Sequence, residues 1–422
     1  MPNRLSPVAD RLAITLWDFS WYVRTSPGDA FADIDRAFAE AVERGHNCVR
    51  ICAMPFLLFR SGLDTTRLTF HPLGGEYGQR TRWYDVGAVA EIDGRKALIE
   101  LFRAARRHGC SVIVSSWEYQ QSPCFAADAS WFKTLMDVVP DERAVVLADA
   151  LADLVDLLRD EGLEQAVAFV ELHNEVQISR LTDGLAEGDI FASLQARLEK
   201  GVDRFKQRHP DVAVTANYAR VPAGQMRHLP RNVDVAVFHP YVYGVLGELV
   251  ETFALRDSSR PFPQQLANDV LLRDDAPPLA DWQPPEGDRW RMDATVMRAR
   301  ELYVHDWCDP DAWDQWLYER YGAHHHATYQ LLDLWIDVAA DWAAALSIPL
   351  VFGEGWVGYT PLHTSFEEGP VGQAIARHAM RRSVDVGAWG TLVCSNAAPH
   401  HPMWADVGLQ QDLNAEFLGP SG

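Results

Sequence analysis

Residues 12–52 read LAITLWDFSWYVRTSPGDAFADIDRAFAEAVERGHNCVRIC. The first six, Leu12-Ala13-Ile14-Thr15-Leu16-Trp17, are a short apolar, strand-like run. Phe31, Ile34, Phe38 and Val42 then recur at helical spacing, and Gly45 stops the helix. Cys48-Val49-Arg50-Ile51-Cys52 is a second strand-like run. Strands apolar along their whole length are covered on both faces, and a helix between two of them is the crossover that a parallel pair requires.

The same unit recurs outward along the chain. A helix through Leu98, Leu101, Phe102 and Ala105 stops at Gly109 and feeds Cys110-Ser111-Val112-Ile113-Val114. The helix Val145–Leu158 leads into 166–170, and the helix Phe191–Phe205 into 212–215. A shorter connection reaches 233–238. The helix Tyr329–Leu346 precedes 348–352, and the helix Val371–Val384 precedes 390–394. Eight strand candidates, most separated by a helix, predict an α/β fold closed as a (β/α)₈ TIM barrel, with an open doubly wound sheet as the alternative. A single barrel domain over 1–422 accounts for the length. Three long segments, 54–92, 117–142 and 244–322, follow strands rather than helices. They therefore crowd the C-terminal face, where barrel active sites lie. The last follows the sixth strand, carries Trp282, Trp290, Trp307, Trp313 and Trp316, and is either a barrel loop or a small subdomain over the site.

The 422 residues are 48% hydrophobic and 23% charged, enough for a large core. A net charge of −21 disfavours nucleic acid and anionic membrane surfaces, which need a dense positive footprint. The stretch from Met1 to Pro7 has no basic region followed by an apolar run, and no segment is apolar enough to span a bilayer. The six cysteines lack paired spacing. A reduced, cytoplasmic protein acting on a neutral or cationic small molecule is the expectation.

In a barrel, residues just past each strand converge on one pocket. These are Trp17 and Asp18, Arg50, Trp117 and Glu118, Asn174 and Glu175, Asn217, His239 and Tyr241, Glu354, and Ser395 and Asn396. Glu175 and Glu354 follow strands four and seven, on opposing sides of an eight-membered ring. Two carboxyl groups so placed can approach one glycosidic bond from two directions, one donating a proton and the other attacking the anomeric carbon. Arg50 and Tyr241 are candidates to keep Glu354 ionised and aimed, and Asn174 to bind a sugar hydroxyl. Taken singly, each glutamate is as readily a structural ion-pair partner; the pairing favours chemistry. Glu171 and His173 point either into the barrel or between layers.

Several of these motifs, in order, resemble the cellulase-like glycoside hydrolases of clan A. Gly45-His46-Asn47-Cys48-Val49-Arg50-Ile51 looks like their second strand, Gly109-Cys110-Ser111-Val112-Ile113-Val114 their third, and Asn174-Glu175 their fourth. His239-Pro240-Tyr241 is similar to their sixth and Phe352-Gly353-Glu354-Gly355 to their seventh. The resemblance implies that Glu175 is the acid/base and Glu354 the nucleophile of a retaining hydrolase. It also implies that Arg50, Asn174, His239 and Tyr241 assist, without cofactor or metal. Three features depart from the pattern. Val176 replaces the usual Pro. The third strand ends Ser116-Trp117-Glu118 rather than in His. The eighth ends Ser395-Asn396 without the usual tryptophan, for which Trp404 is the candidate replacement. The expected substrate is a short β-linked glycoside or glycoconjugate. Two alternatives stand: a divalent-metal sugar isomerase or epimerase using Glu118, Glu175, His239 and Glu354, and a non-catalytic sugar binder. The run His324-His325-His326 is read as a solvated helix start, and His400-His401 as a weak metal signal in a better location.

Overall fold

The structure, a computed structural model, describes residues 11–75, 77–120 and 122–419; the stretch from Met1 to Pro7 read for a leader lies outside them. Eight parallel strands form the centre. They are β1 (Leu12–Asp18), β2 (Cys48–Cys52), β3 (Ser111–Ser115), β4 (Val167–Glu171), β5, β6 (Ala236–His239), β7 (Leu350–Phe352) and β8 (Gly390–Leu392). β5 consists of two segments, Val214–Thr215 and Asn217–Ala219, interrupted at Ala216.

This interruption explains how the ring closes. The first segment pairs with β4 and the second with β6, and these two segments are the ends of the nine-membered pairing order. The ends are consecutive in the chain, so the sheet returns on itself. Asp234 N–H donates to Val214 O (3.0 Å), and Thr215 Oγ1 donates to Val235 O (2.6 Å), joining the first segment to the β6 side as well. The barrel, rather than the open sheet, is the fold.

Helices Ile34–Glu43, Gly94–Arg107, Arg143–Asp160, Ile190–Arg208, Pro310–Leu346 and Pro370–Asp385 follow the strands as crossovers. Their ends are fixed by ordinary capping chemistry. Asp33 accepts from the N–H groups of Asp35 and Arg36, and Asp93 from that of Lys96. Gly45 and Gly109 exit their helices at φ +81° and +68°, a conformation that penalises a side chain. Between β5 and β6 there is only the short turn Met226–His228. The helix expected near Tyr329 begins instead at Pro310, where Asp309 caps the free N–H groups and proline presets the first turn. His324–His326 thus lie inside that helix and do not open it. His324 pairs with Glu248 (2.5 Å), His325 lies against Tyr321 and Tyr329, and His326 is exposed.

The three long loops interlock above the strand ends. Segment 54–92 contains the antiparallel hairpin Leu68–Phe70 and Ala90–Ile92. The Asp306 carboxylate accepts from Gly78 N–H (2.7 Å) and Arg80 N–H (2.9 Å), and Trp282 stacks on Tyr77 at 3.9 Å. Arg291 donates to the carbonyls of Cys124 (2.6 Å) and Ala126 (2.9 Å). One buried apolar cluster runs from β1 through these loops to Trp313. Among the described residues no helix is long and apolar enough to cross a membrane, and the six cysteines are free.

Candidate active site

Arg50 stands mid-strand on β2, opposite Ile113 of β3 and Leu16 of β1, and is fully buried. A charge removed from water must be paired, and this one is paired several times. Its guanidinium donates to Glu171 (2.7 Å), Glu354 (2.7 Å) and Asn174 Oδ1 (2.7 Å), and lies 4.8 Å above the Trp117 ring. Burial works against its charge, but the two carboxylates outweigh burial and hold it above its ordinary range. Glu171, the last residue of β4, also accepts from Asn217 Nδ2 (2.8 Å). β2, β4, β5 and the end of β7 are thereby joined by one charged network.

Glu354 follows β7. It receives Arg50 Nη1 on one oxygen and the Tyr241 hydroxyl (2.7 Å) on the other. Tyr241 has one proton, and burial keeps it there by pushing its pKa well above the ordinary value. Since that proton goes to Glu354, the Ser395 hydroxyl at 2.6 Å donates to Tyr241, while itself accepting from Gly355 N–H (2.9 Å). Burial raises the pKa of Glu354, with Arg50 and Tyr241 pulling the other way.

Glu175 is placed differently. It turns out of β4 at φ +45°, and its N–H donates to Asn217 Oδ1 (2.6 Å). Its carboxyl group meets His239 Nδ1 at 3.1 Å; the same nitrogen lies 3.5 Å from Glu354. Burial first, then the neighbouring charge of Glu354, push Glu175 up to about 8. Burial and the charge of Arg50 hold His239 well below its ordinary value, so the imidazole is neutral. One oxygen of Glu175, one nitrogen of His239 and one oxygen of Glu354 all lie within 4.8 Å of one another. This set has the atoms either to transfer a proton or to ligate a cation.

Glu175 opens toward a cavity of about 770 Å³, lined also by Tyr241, Tyr243, Tyr359, Trp335 and Arg220; Glu354 lines a separate small recess that shares Tyr359 with it. The remaining expected residues divide. Asn174 is committed to Arg50 and to Gln120 (3.2 Å), and Asn217 to Glu171 and the Glu175 backbone. Trp117 lines a recess with Asp18 and Glu354, and Asn396 a second recess with Trp83, Tyr241 and Ser395. Three more turn to partners elsewhere. Trp17 packs outward on Phe31 and Phe38, at 5.1 and 4.5 Å. Glu118 caps the short helix Pro55–Phe59, accepting from Phe56 N–H (3.0 Å) and Leu57 N–H (2.7 Å). Trp404 lies under the Arg44 guanidinium (4.3 Å) and donates to Glu40 (3.1 Å). Of the five tryptophans in 244–322, none lines the cavity; Trp307 and Trp316, for instance, carry Arg273 and Arg320 on their rings. Residues the sequence did not single out are Gln120, Arg220, Tyr243, Trp335 and Tyr359. Only Arg220, one residue beyond β5, stood at a position where strand-end reasoning could have found it.

A candidate glycoside hydrolase from Parabacteroides distasonis superposes with a TM-score of 0.68 at 18% identity, covering 97% of this chain and 94% of its own. An endo-β-1,4-mannanase from Thermotoga petrophila gives 0.49 at 12% identity, over 98% of this chain and 78% of its own. No curated protein matches the chain. Residues 14–418 match the model of the family described as sugar-binding cellulase-like, so the chain belongs to that cellulase-like family of clan A (β/α)₈ barrels.

Proposed function

We propose that the protein is a retaining glycoside hydrolase, with Glu354 as nucleophile and Glu175 as acid/base. The observation that carries this reading is the approach of the two carboxyl groups across the ring, to within 4.8 Å at their nearest ligand oxygens. Retaining enzymes hold theirs at roughly 5–5.5 Å and inverting ones at about 6.5–9.5 Å, to admit a water. Their surroundings support the division of labour. Glu175, pushed up to about 8, keeps a proton at neutral pH and gives it to the leaving oxygen. Glu354, held by Arg50 and Tyr241, attacks the anomeric carbon and forms a glycosyl ester. Glu175, now ionised, then takes a proton from water; the water oxygen attacks the same carbon, and the ester oxygen returns to Glu354 as carboxylate. A cavity of about 770 Å³ favours short glycosides over polymer chains, and we take them to be β-linked.

Nitrophenyl glycosides tested with wild type, Glu175→Ala and Glu354→Ala examine this directly. Loss of the acid should cost about 10²–10⁴ in rate, with partial rescue by azide on activated substrates. Glu354→Ala should give no product of retained configuration. Equal, full activity in both variants would end the proposal.

The convergence of Glu175, His239 and Glu354 gives the metal-dependent isomerase reading one specific observation in its favour. Glu118, its fourth expected ligand, is engaged by backbone N–H groups instead. A stoichiometric ion lost in Glu175→Gln and His239→Gln would support that reading over hydrolysis.

A further inference from the structure

Asp18, His400 and His401 form a second cluster that glycoside cleavage does not use. Asp18 closes β1 at φ +43°, after a shift of register beyond Leu16, and its Oδ1 accepts from Ser20 N–H (2.5 Å). The two histidines come from the loop after β8, with ring centroids 4.0 Å apart. His400 Nε2 lies 3.0 Å from Ser20 Oγ and 3.3 Å from Asp18 Oδ2. Asp18 is 2% and His401 4% exposed, and the His400 side chain 1%. Asp18 Oδ2, His400 Nδ1 and both ring nitrogens of His401 have no hydrogen-bond partner among the described residues. Buried polar atoms are ordinarily satisfied, so three unpartnered ring nitrogens beside a carboxylate oxygen met only by His400 at 3.3 Å call for a ligand. One ligand atom from each side chain lies within 4.8 Å of the other two.

We propose that Asp18, His400 and His401 bind a divalent transition-metal cation. Two imidazoles and one carboxylate suit zinc and its neighbours, whereas calcium and magnesium prefer an all-oxygen shell. The nearby cations do not oppose binding with free charge, because Arg24 pairs with Asp85 and Arg82 with Glu368. Three protein ligands leave a coordination position open. Asp18 lines the same recess as Trp117, Tyr359 and Glu354. The site stands apart from the Glu175–His239–Glu354 group and does not require that the protein be a hydrolase.

The test is metal binding by the untagged full chain. Zinc content after loading and dialysis, and the visible absorption of the cobalt-substituted protein, should report about one ion per chain. His401→Gln and His400→Gln should weaken binding at least about tenfold and remove the cobalt band, with far-UV circular dichroism unchanged. Zinc should raise the Tm of the wild type but not of these variants. Glu175→Gln, and a variant with His324, His325 and His326 all changed to Gln, should keep the ion. A wild-type chain that shows no cobalt band and no retained zinc overturns the proposal, as does loss of the ion in either of the last two variants. Should the histidine variants misfold, Asp18→Asn read against the same wild-type spectrum decides.

Discussion

Glu175 and Glu354 carry the same functional group, and only their neighbours separate the roles proposed for them. Arg50 and Tyr241 donate to Glu354, while Glu175 faces a neutral imidazole. With Glu175 pushed up to about 8, kcat/KM should fall as pH rises through about 8, because the acid loses its proton there. Stability carries the same signature with a definite sign. The folded chain holds this proton from the ordinary carboxylate range, near 4.5, up to about 8, while the unfolded chain releases it. The folded state therefore binds more protons in that window, and stability declines as pH rises through it. Glu175→Gln should accordingly raise Tm relative to wild type more at pH 8 than at pH 5, by calorimetry; an equal effect at both would contradict the raised pKa. Arg50 is the counterpart. Arg50→Met leaves Glu171 and Glu354 buried without a cation, at a cost of about 3–5 kcal/mol in urea denaturation. Tyr241 and both glutamates were legible because strand ends of a barrel converge whatever the loops do; Arg50, expected just past the second strand, stands within it. Glu118 and Trp404 were not. Their side chains answer to partners brought from elsewhere, the start of the Pro55–Phe59 helix and Arg44, and strand-end position says nothing of these.

At the scale of elements, the strands were readable because both faces are buried, which turns each into a short apolar run. The exception is β5. Its second segment contains Asn217, a side chain spent on Glu171 and the Glu175 backbone, so polarity truncated the run in the sequence although the strand continues. The helix Pro310–Leu346 was read from its second half alone. Its first half packs Trp313, Trp316 and Leu317 against the inserted loops rather than the ring, and so looked like part of the insertion. Close packing at β7 gives a further prediction. A Cβ at Gly353 would sit 2.9 Å from His239 Nε2 and 3.3 Å from Val237 Cγ1. Gly353→Ala should therefore destabilise by about 1–3 kcal/mol and lower kcat by displacing His239 from Glu175. Wild-type kcat in this variant would show that His239 does not position the acid.

For the whole molecule, the long loops after β2, β3 and β6 hold one another through Asp306, Arg291 and the stack of Trp282 on Tyr77. Their mutual packing depends on contacts across more than 150 positions, which no local pattern encodes. With these loops crowding the strand ends, short nitrophenyl glycosides should be turned over while insoluble polysaccharide gives no soluble sugar, as measured by reducing-end release. Sustained release from polymer would mean a cleft more open than the cavity beside Glu175.

The central claim is that Glu354 becomes covalently bonded to sugar. Treating the protein with activated 2-deoxy-2-fluoro glycosides of gluco, manno and galacto configuration, then mapping peptides by mass, reads this out directly. The expected result is inactivation with one fluorosugar per chain on the peptide containing Glu354, absent in Glu354→Ala. An adduct on another residue, or turnover by a chain lacking the Glu354 carboxylate, would contradict it.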